Sequence, residues 1–261
     1  MRPSTFIFAF TLISAAMVSA CSSGSSSSSS LASRSVAREA PAANAAKSAP
    51  AETEEFVPAA VRLEFFEGFQ GGDEAKLEHV QKVCERTLAR DPHHPEALVW
   101  HGFLLLVRSG QSLRRGDRDQ GLLLRSRALR ELDEGAALKP NGISARAPHG
   151  VAMFTLALDL PVPQAREFLE KGVDDYETVL RLHGDRFESL SPHARAELLF
   201  GLADGWAKLG DSTRAHSYYA RLSREEPKTD LGERSLAWLA GRRDLGPRPS
   251  CTSTCHVAGR D

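Results

Sequence analysis

The chain has 261 residues, 41% of them hydrophobic and 26% charged, with 33 Lys and Arg against 34 Asp and Glu. This is a globular composition, and its near-zero net charge argues against non-specific nucleic-acid binding, so no nucleic-acid partner is expected. Four cysteines are too few to frame a disulfide mini-domain, and no apolar run past the N-terminus is long enough to span a membrane.

Residues 1–20 read as a secretory signal. Arg2 supplies the positive start, Phe6 to Val18 the apolar stretch, and small residues lead to a cut site. The run Val18-Ser19-Ala20-Cys21 resembles the lipobox of bacterial lipoproteins. That resemblance implies cleavage before Cys21 and lipidation of Cys21, and several acyl chains at one residue anchor stably. Residue 22 is Ser rather than Asp, which in Gram-negative lipoproteins of this kind looks like outer-membrane sorting. The expected localisation is therefore the cell envelope, on the outer membrane facing the periplasm. Residues 21–55 follow as a lipidated tether rich in Ser and Ala, interrupted by Pro41 and Pro50. Such a composition buries too little apolar surface to offset its ordering entropy. As a flexible coil it would span roughly 30 Å.

From residue 56 to 241 nothing reads as strand. Apolar residues recur at helical spacing between breakers. Helices are predicted near 57–69, 73–90, 95–109, 118–138, 148–159, 163–183, 191–209, 211–225 and 230–240. Asp73, Ser191 before Pro192, and Asp211 carry N-cap chemistry. Asp91-Pro92, Lys139-Pro140, Gly184 and Glu226-Pro227 carry stop chemistry. The expected fold class is all-α: about four antiparallel helix pairs in an α-solenoid, closed by a capping helix at 230–240.

The closing prolines imply a repeat of about 43–48 residues, and the clearest unit is Ala196–Pro227. Here Leu199, Leu202, Ala203, Trp206, Gly210, Ala215, Tyr219, Leu222 and Pro227 stand in the pattern of a tetratricopeptide repeat, which this stretch resembles. Small residues at Ala203 and Ala215 would let two helices approach closely, with Trp206 and Tyr219 filling the space between neighbouring pairs. A second unit runs from Pro95 to Pro140. Pro95 to Leu98, Gly102 and Leu105 look like its first helix, and Ala128 and Leu132 like its second. Between them lies an insertion of about 14 residues around Ser109–Gly116, read as a loop that covers the apolar helix before it. Val61–Pro92 and Ser144–Gly184 match more weakly.

The resemblance implies a concave groove that holds a peptide or partner helix. Its lining would be Glu96, Val99, Phe103, Leu106 and Val107 in one unit, and Glu197, Phe200, Asp204, Ala207 and Lys208 in the other. Ala97–Val107 is apolar almost all round, so it is either buried or an interface, and burial is the favoured reading. Arg114, Arg115 and Arg118 in the inserted stretch either meet an acidic partner or lipid headgroups, or form a solvated loop.

No nucleophile elbow, phosphate-binding loop, zinc-protease or dinucleotide signature occurs, so no enzyme and no catalytic residue is expected. His93 and His94 share a turn and would point apart, which disfavours a joint metal site. Asp174 and Asp175 read as a charged face, because neighbours in sequence do not face each other on a helix. Cys84 reads as a small core residue.

Residues 242–261 form a Pro- and Gly-rich tail ending in Cys251-Thr252-Ser253-Thr254-Cys255-His256. This resembles the c-type haem attachment motif with one extra residue between the cysteines. The resemblance implies thioether attachment at Cys251 and Cys255, with His256 as the iron ligand. A Cys251–Cys255 disulfide or an inert tail is the other reading. No cofactor is otherwise expected. The functional expectation is a non-enzymatic, envelope-anchored scaffold that binds a periplasmic or envelope protein through its groove. The alternative is a membrane-tethered redox module carrying one c-type haem or a dithiol.

Overall fold

Capping and stop chemistry divide the chain into short helices, and apolar faces then pair them. The computed structural model describes residues 56–158 and 160–242. Over these the protein is all-α, with nine helices: α1 (Pro58–Gly71), α2 (Glu74–Arg90), α3 (Pro95–Arg114), α4 (Arg118–Leu138), α5 (Ile143–Leu158), α6 (Val162–His183), α7 (Pro192–Leu209), α8 (Ser212–Glu225) and α9 (Asp230–Leu239). The Asp73 carboxylate accepts the Ala75 and Lys76 amides at 3.1 and 3.3 Å, starting α2. Ser191 accepts Ala194 N–H at 3.2 Å with Pro192 in the first turn of α7, and Asp211 accepts Arg214 N–H at 2.9 Å to start α8. Gly210 closes α7 in the left-handed region at φ 90°, where a side chain would be strained. Its turn sends Asp211 N–H back to the Trp206 carbonyl at 3.0 Å, a Schellman closure.

Consecutive helices pack as four hairpins, α1 on α2, α3 on α4, α5 on α6 and α7 on α8, with α9 covering the last. Each hairpin leans on the one before it. α3 rests on α1 and α2, α5 on α3 and α4, α7 on α6, and α9 on α7 and α8. The core is correspondingly long. Its first half gathers Phe65, Cys84, Trp100, Phe103, Leu132 and Met153, and its second half Phe200, Leu202, Tyr219, Leu222 and Trp238. Val151 of α5 packs against both halves and joins them.

Two boundaries differ from the sequence reading. The stretch around Ser109–Gly116 is not an inserted loop. α3 continues to Arg114, α4 begins at Arg118, and only Arg115–Asp117 turn. Ser109 and Ser112 are buried, and Ser109 Oγ donates to the Gly121 carbonyl across the hairpin at 2.8 Å. Gly121 admits Leu113, since a Cβ there would lie 2.6 Å from Leu113 Cγ. The apolar surface of α3 is therefore covered by α1, α2, α4 and α5 rather than by a loop. The second difference is α5, which starts at Ile143 and carries Pro148 inside it. The Gly142 carbonyl accepts the Ala145 and Arg146 amides at 3.1 and 2.9 Å, so a first turn already exists when Pro148 arrives. The proline removes a single helix bond, the one to the Ser144 carbonyl.

Candidate functional site

The positions expected to line a groove separate into two groups. Val99, Phe103, Leu106 and Phe200 are buried, as is Glu96. They line no accessible groove: Val99, Phe103 and Leu106 follow the favoured reading of their stretch as buried, while the groove expectation for Glu96 and Phe200 is corrected. Phe103 packs against Phe65 of α1 with ring centroids 4.7 Å apart, and Phe200 stands edge-on to Tyr219 of α8 at 5.8 Å. Glu96 binds Lys139 Nζ and accepts Ser144 Oγ at 2.7 Å. It thereby fastens the start of α3 to the end of α4 and the start of α5. Burial raises the Glu96 pKa, but the hydrogen bonds from Lys139 and Ser144 and the Lys139 charge outweigh it, and the carboxyl sits below its usual range.

The second group is half-buried on α7: Glu197, Asp204, Ala207 and Lys208, with Val107 similarly half-buried on α3. Asp204 and Lys208 pair at 3.0 Å. Trp206 lies on the same helix. Its indole donates to Glu177 of α6 at 3.0 Å, and the Arg214 guanidinium of α8 sits 4.1 Å from the ring centroid. Trp206 thus ties α7 to helices on both sides.

The repeat-core residues stand where close packing requires them. Leu199, Leu202, Ala203, Ala215 and Tyr219 are buried in one cluster. A Cβ on Gly102 would lie 2.9 Å from the Ala128 carbonyl and 3.0 Å from the Leu132 amide nitrogen, so α3 and α4 touch backbone to backbone there. Tyr219 stacks on Trp238 of α9 at 4.4 Å. Pro227 is exposed in the turn between α8 and α9.

Two buried polar clusters were not anticipated. In the first, His149 of α5 lies between two carboxylates. Its Nδ1 faces Asp175 Oδ2, and its Nε2 lies 3.3 Å from Asp133 Oδ1. Arg146 donates to Asp175 at 2.6 Å and to Asp174 at 2.9 Å, and Lys171 Nζ holds Asp133 at 2.9 Å. Lys171 also pairs with the exposed Glu167 at 3.2 Å, so three cations, with His149 protonated, meet four carboxylates. Burial pulls the His149 pKa down, but the hydrogen bonds and charges of Asp133 and Asp175 outweigh it and raise the pKa above its ordinary value. Asp133 is held below its ordinary value, first by the His149 hydrogen bond, with Lys171 adding to it against burial. The expectation of a charged solvent face at Asp174 and Asp175 is therefore corrected. Asp174 is exposed, whereas Asp175 is fully buried beneath the α5–α6 contact. A signal was available: Asp175 falls within the apolar stripe of Gly172, Tyr176 and Val179, where an acid needs partners.

In the second cluster the His101 Nδ1 of α3 meets Glu131 Oε2 of α4 at 2.5 Å, and Arg127 Nε donates to Glu131 at 2.7 Å. Burial raises the Glu131 pKa, but the contacts with His101 and Arg127 lower it further than burial raises it. Cys84 of α2 is fully buried as expected, and burial, aided by the charges of Glu131 and Glu85, pushes its thiol up to about 12. His93 and His94 point apart. His93 Nδ1 meets Glu134 at 2.9 Å, while His94 Nδ1 accepts the Ala97 amide at 3.2 Å as the cap of α3.

Among the described residues no group of three or more His, Cys, Asp or Glu is placed to hold a metal ion, and no helix is long and apolar enough to cross a membrane. Cys21, Cys251, Cys255 and His256 lie outside the described residues, as do the signal, the tether and most of the tail. Met153, the only methionine after the expected signal, is fully buried, so the core would have to open before its sulfur reached a haem iron. Compared with known proteins, the chain matches no family model and no curated sequence. The fold and site thus define a class, an all-α stack of helical hairpins with polar ties between its layers.

Proposed function

We propose that this chain is an envelope-anchored scaffold of the tetratricopeptide type, lipidated at Cys21, that holds another envelope protein on its helical stack. The observation that supports it is the use made of the chemistry-bearing side chains. His149, Asp175, His101, Glu131 and Glu96 are engaged inside the fold, joining one helix to the next, and Cys84 is buried in the core. On α7 the groove positions Glu197, Asp204 and Lys208 are half-buried and so reach the surface, and we assign the partner to them.

A photoreactive amino acid at Lys208 should give a discrete adduct with an envelope protein in intact cells. The same amino acid at Arg224, exposed on α8, should not. Equal labelling at both positions would end the groove assignment. The anchor is tested separately, because Cys21→Ser should block signal processing and abolish incorporation of labelled fatty acid. A haem-stained band and a Soret absorption lost on Cys255→Ser would instead establish the redox module and reject a pure scaffold.

A further inference from the structure

Antiparallel pairing collects the turns within each hairpin at one edge of the stack, and that edge is unusually apolar. Among the described residues, six of the nine most exposed large apolar side chains lie beside these turns: Phe69, Leu113, Leu122, Leu123, Leu158 and Val162. Phe69 ends α1, Leu113 ends α3, Leu122 and Leu123 start α4, Leu158 ends α5 and Val162 starts α6. Only Val57 and Leu138 sit at the opposite edge, where the hairpins join one another. Leu123 is 65% exposed, more than any other of the nine, so neighbouring helices leave it uncovered.

Basic groups frame the middle turn of this edge, whereas Asp73 and Glu74 follow Phe69 and Asp159 lies between Leu158 and Val162 in the sequence. Arg114, Arg115 and Arg118 frame the α3–α4 turn. Arg125 of α4 lies 6.0 Å from the Phe168 ring centroid of α6. The acids of the same turn are Asp117 and Asp119, and Asp117 is engaged by the Gln120 amide as the cap of α4. The apolar side chains stand near helix ends in three successive hairpins. Exposed leucines beside arginines suit the bilayer interface, where the alkyl groups enter the acyl boundary and the guanidinium groups meet phosphates. The chain outside the fold permits this. Cys21 lies 35 residues ahead of Phe56, a stretch that extends to at most about 120 Å, so a lipid there leaves this edge free to turn to the bilayer.

We propose that the hairpin-turn edge bearing Leu122, Leu123, Leu158 and Val162 with Arg114, Arg115 and Arg118 docks on an anionic lipid bilayer. The proposal rests on the envelope reading only in that a bilayer must be within reach. The test uses the full chain after the signal, with Cys21→Ser so that no acyl group contributes, sedimented with vesicles of phosphatidylglycerol and phosphatidylethanolamine. Binding should exceed that to phosphatidylcholine vesicles several-fold and weaken with added salt. The double variant Leu123→Glu with Leu158→Glu should lose at least about tenfold in vesicle affinity. Leu138→Glu, at the opposite edge, should bind as the parent does. All three positions are exposed, and unchanged circular dichroism confirms that the variants fold. Absence of vesicle binding by the Cys21→Ser chain would overturn the proposal, as would binding that the double variant leaves intact. A concentration-dependent dimer abolished by the double variant, without vesicle binding, would assign the edge to a second copy and also overturn it. Incorporation of labelled fatty acid into the unaltered chain in cells, lost on Cys21→Ser, reports the anchor independently, so either idea can fail alone.

Discussion

His149 shows how a single buried side chain becomes a joint between layers. Its ring stands between Asp133 of α4 and Asp175 of α6, while Arg146 holds the other Asp175 oxygen. Replacing one member of a buried ionic cluster leaves the others uncompensated, so His149→Gln should cost about 3 kcal/mol in urea denaturation. The folded-state pKa of His149 is raised, so its stabilisation is fully present below its ordinary value of 6.5 and is lost as the pH rises through the raised value. Asp133 behaves oppositely, its contribution being present above its ordinary 3.8 and lost as the pH falls through its lowered value. The stability gap between parent and His149→Gln should therefore be widest in mildly acidic buffer and shrink above neutrality. A gap that grew with pH would contradict the cluster. Cys84 offers a second check. With its thiol pushed up to about 12 and no solvent exposure, it should resist a thiol reagent in the native chain and react at once in denaturant. The measurement is made with Cys21, Cys251 and Cys255 replaced by serine. The sequence placed Cys84 inside because it sits on an apolar stripe. It did not disclose His149, because the two aspartates that hold this ring are 16 and 26 residues away.

Helix spans are legible where local chemistry decides them. Asp73, Ser191 and Asp211 mark starts by their own hydrogen bonds, and Gly210 marks an end by its φ. One span went astray because a first turn already stands ahead of Pro148 in α5, and another where a contact across a hairpin overrode a local signal. Ser109 and Gly110 read as breakers, yet Ser109 bonds the Gly121 carbonyl and the helix continues. The groove positions on α3 admitted two readings for a related reason. A groove-lining face and a buried face have the same apolar pattern, and only the positions of α1, α2 and α5 tell them apart. Glycines sharpen the contrast between a close approach and open space. Gly102→Ala would drive a Cβ to 2.9 Å from the Ala128 carbonyl, where backbone cannot yield cheaply, and should cost about 2 kcal/mol. Gly110→Ala meets only the end of the Arg114 side chain at 3.4 Å within a helix. It should raise stability by about 0.5–1 kcal/mol through helix propensity. Thermal melts of the two variants, shifting in opposite directions, would verify the α3–α4 approach.

At the scale of the molecule, each hairpin is stabilised by its neighbours, so the open end of the stack needs a cover. α9 supplies it, with Trp238 stacked on Tyr219. Trp238→Ala should cost about 3–5 kcal/mol. Because contacts in a stack are local, hydrogen exchange should quicken mainly in α7, α8 and α9 and leave α3 and α4 protected. Exchange that quickened evenly would show instead one indivisible core. The four hairpins differ in length: α3 and α4 have 20 and 21 residues, whereas α7 and α8 have 18 and 14. Arrays of alike units are prone to a characteristic folding error, in which a hairpin docks against the wrong neighbour or trades places with one from another chain. An overlong second hairpin, sealed by Ser109 and Gly121, is a poor fit for any slot but its own. The irregularity that hides the repeat period in the sequence therefore acts as an address label during folding, making misdocked assemblies poorer packers than the ordered stack.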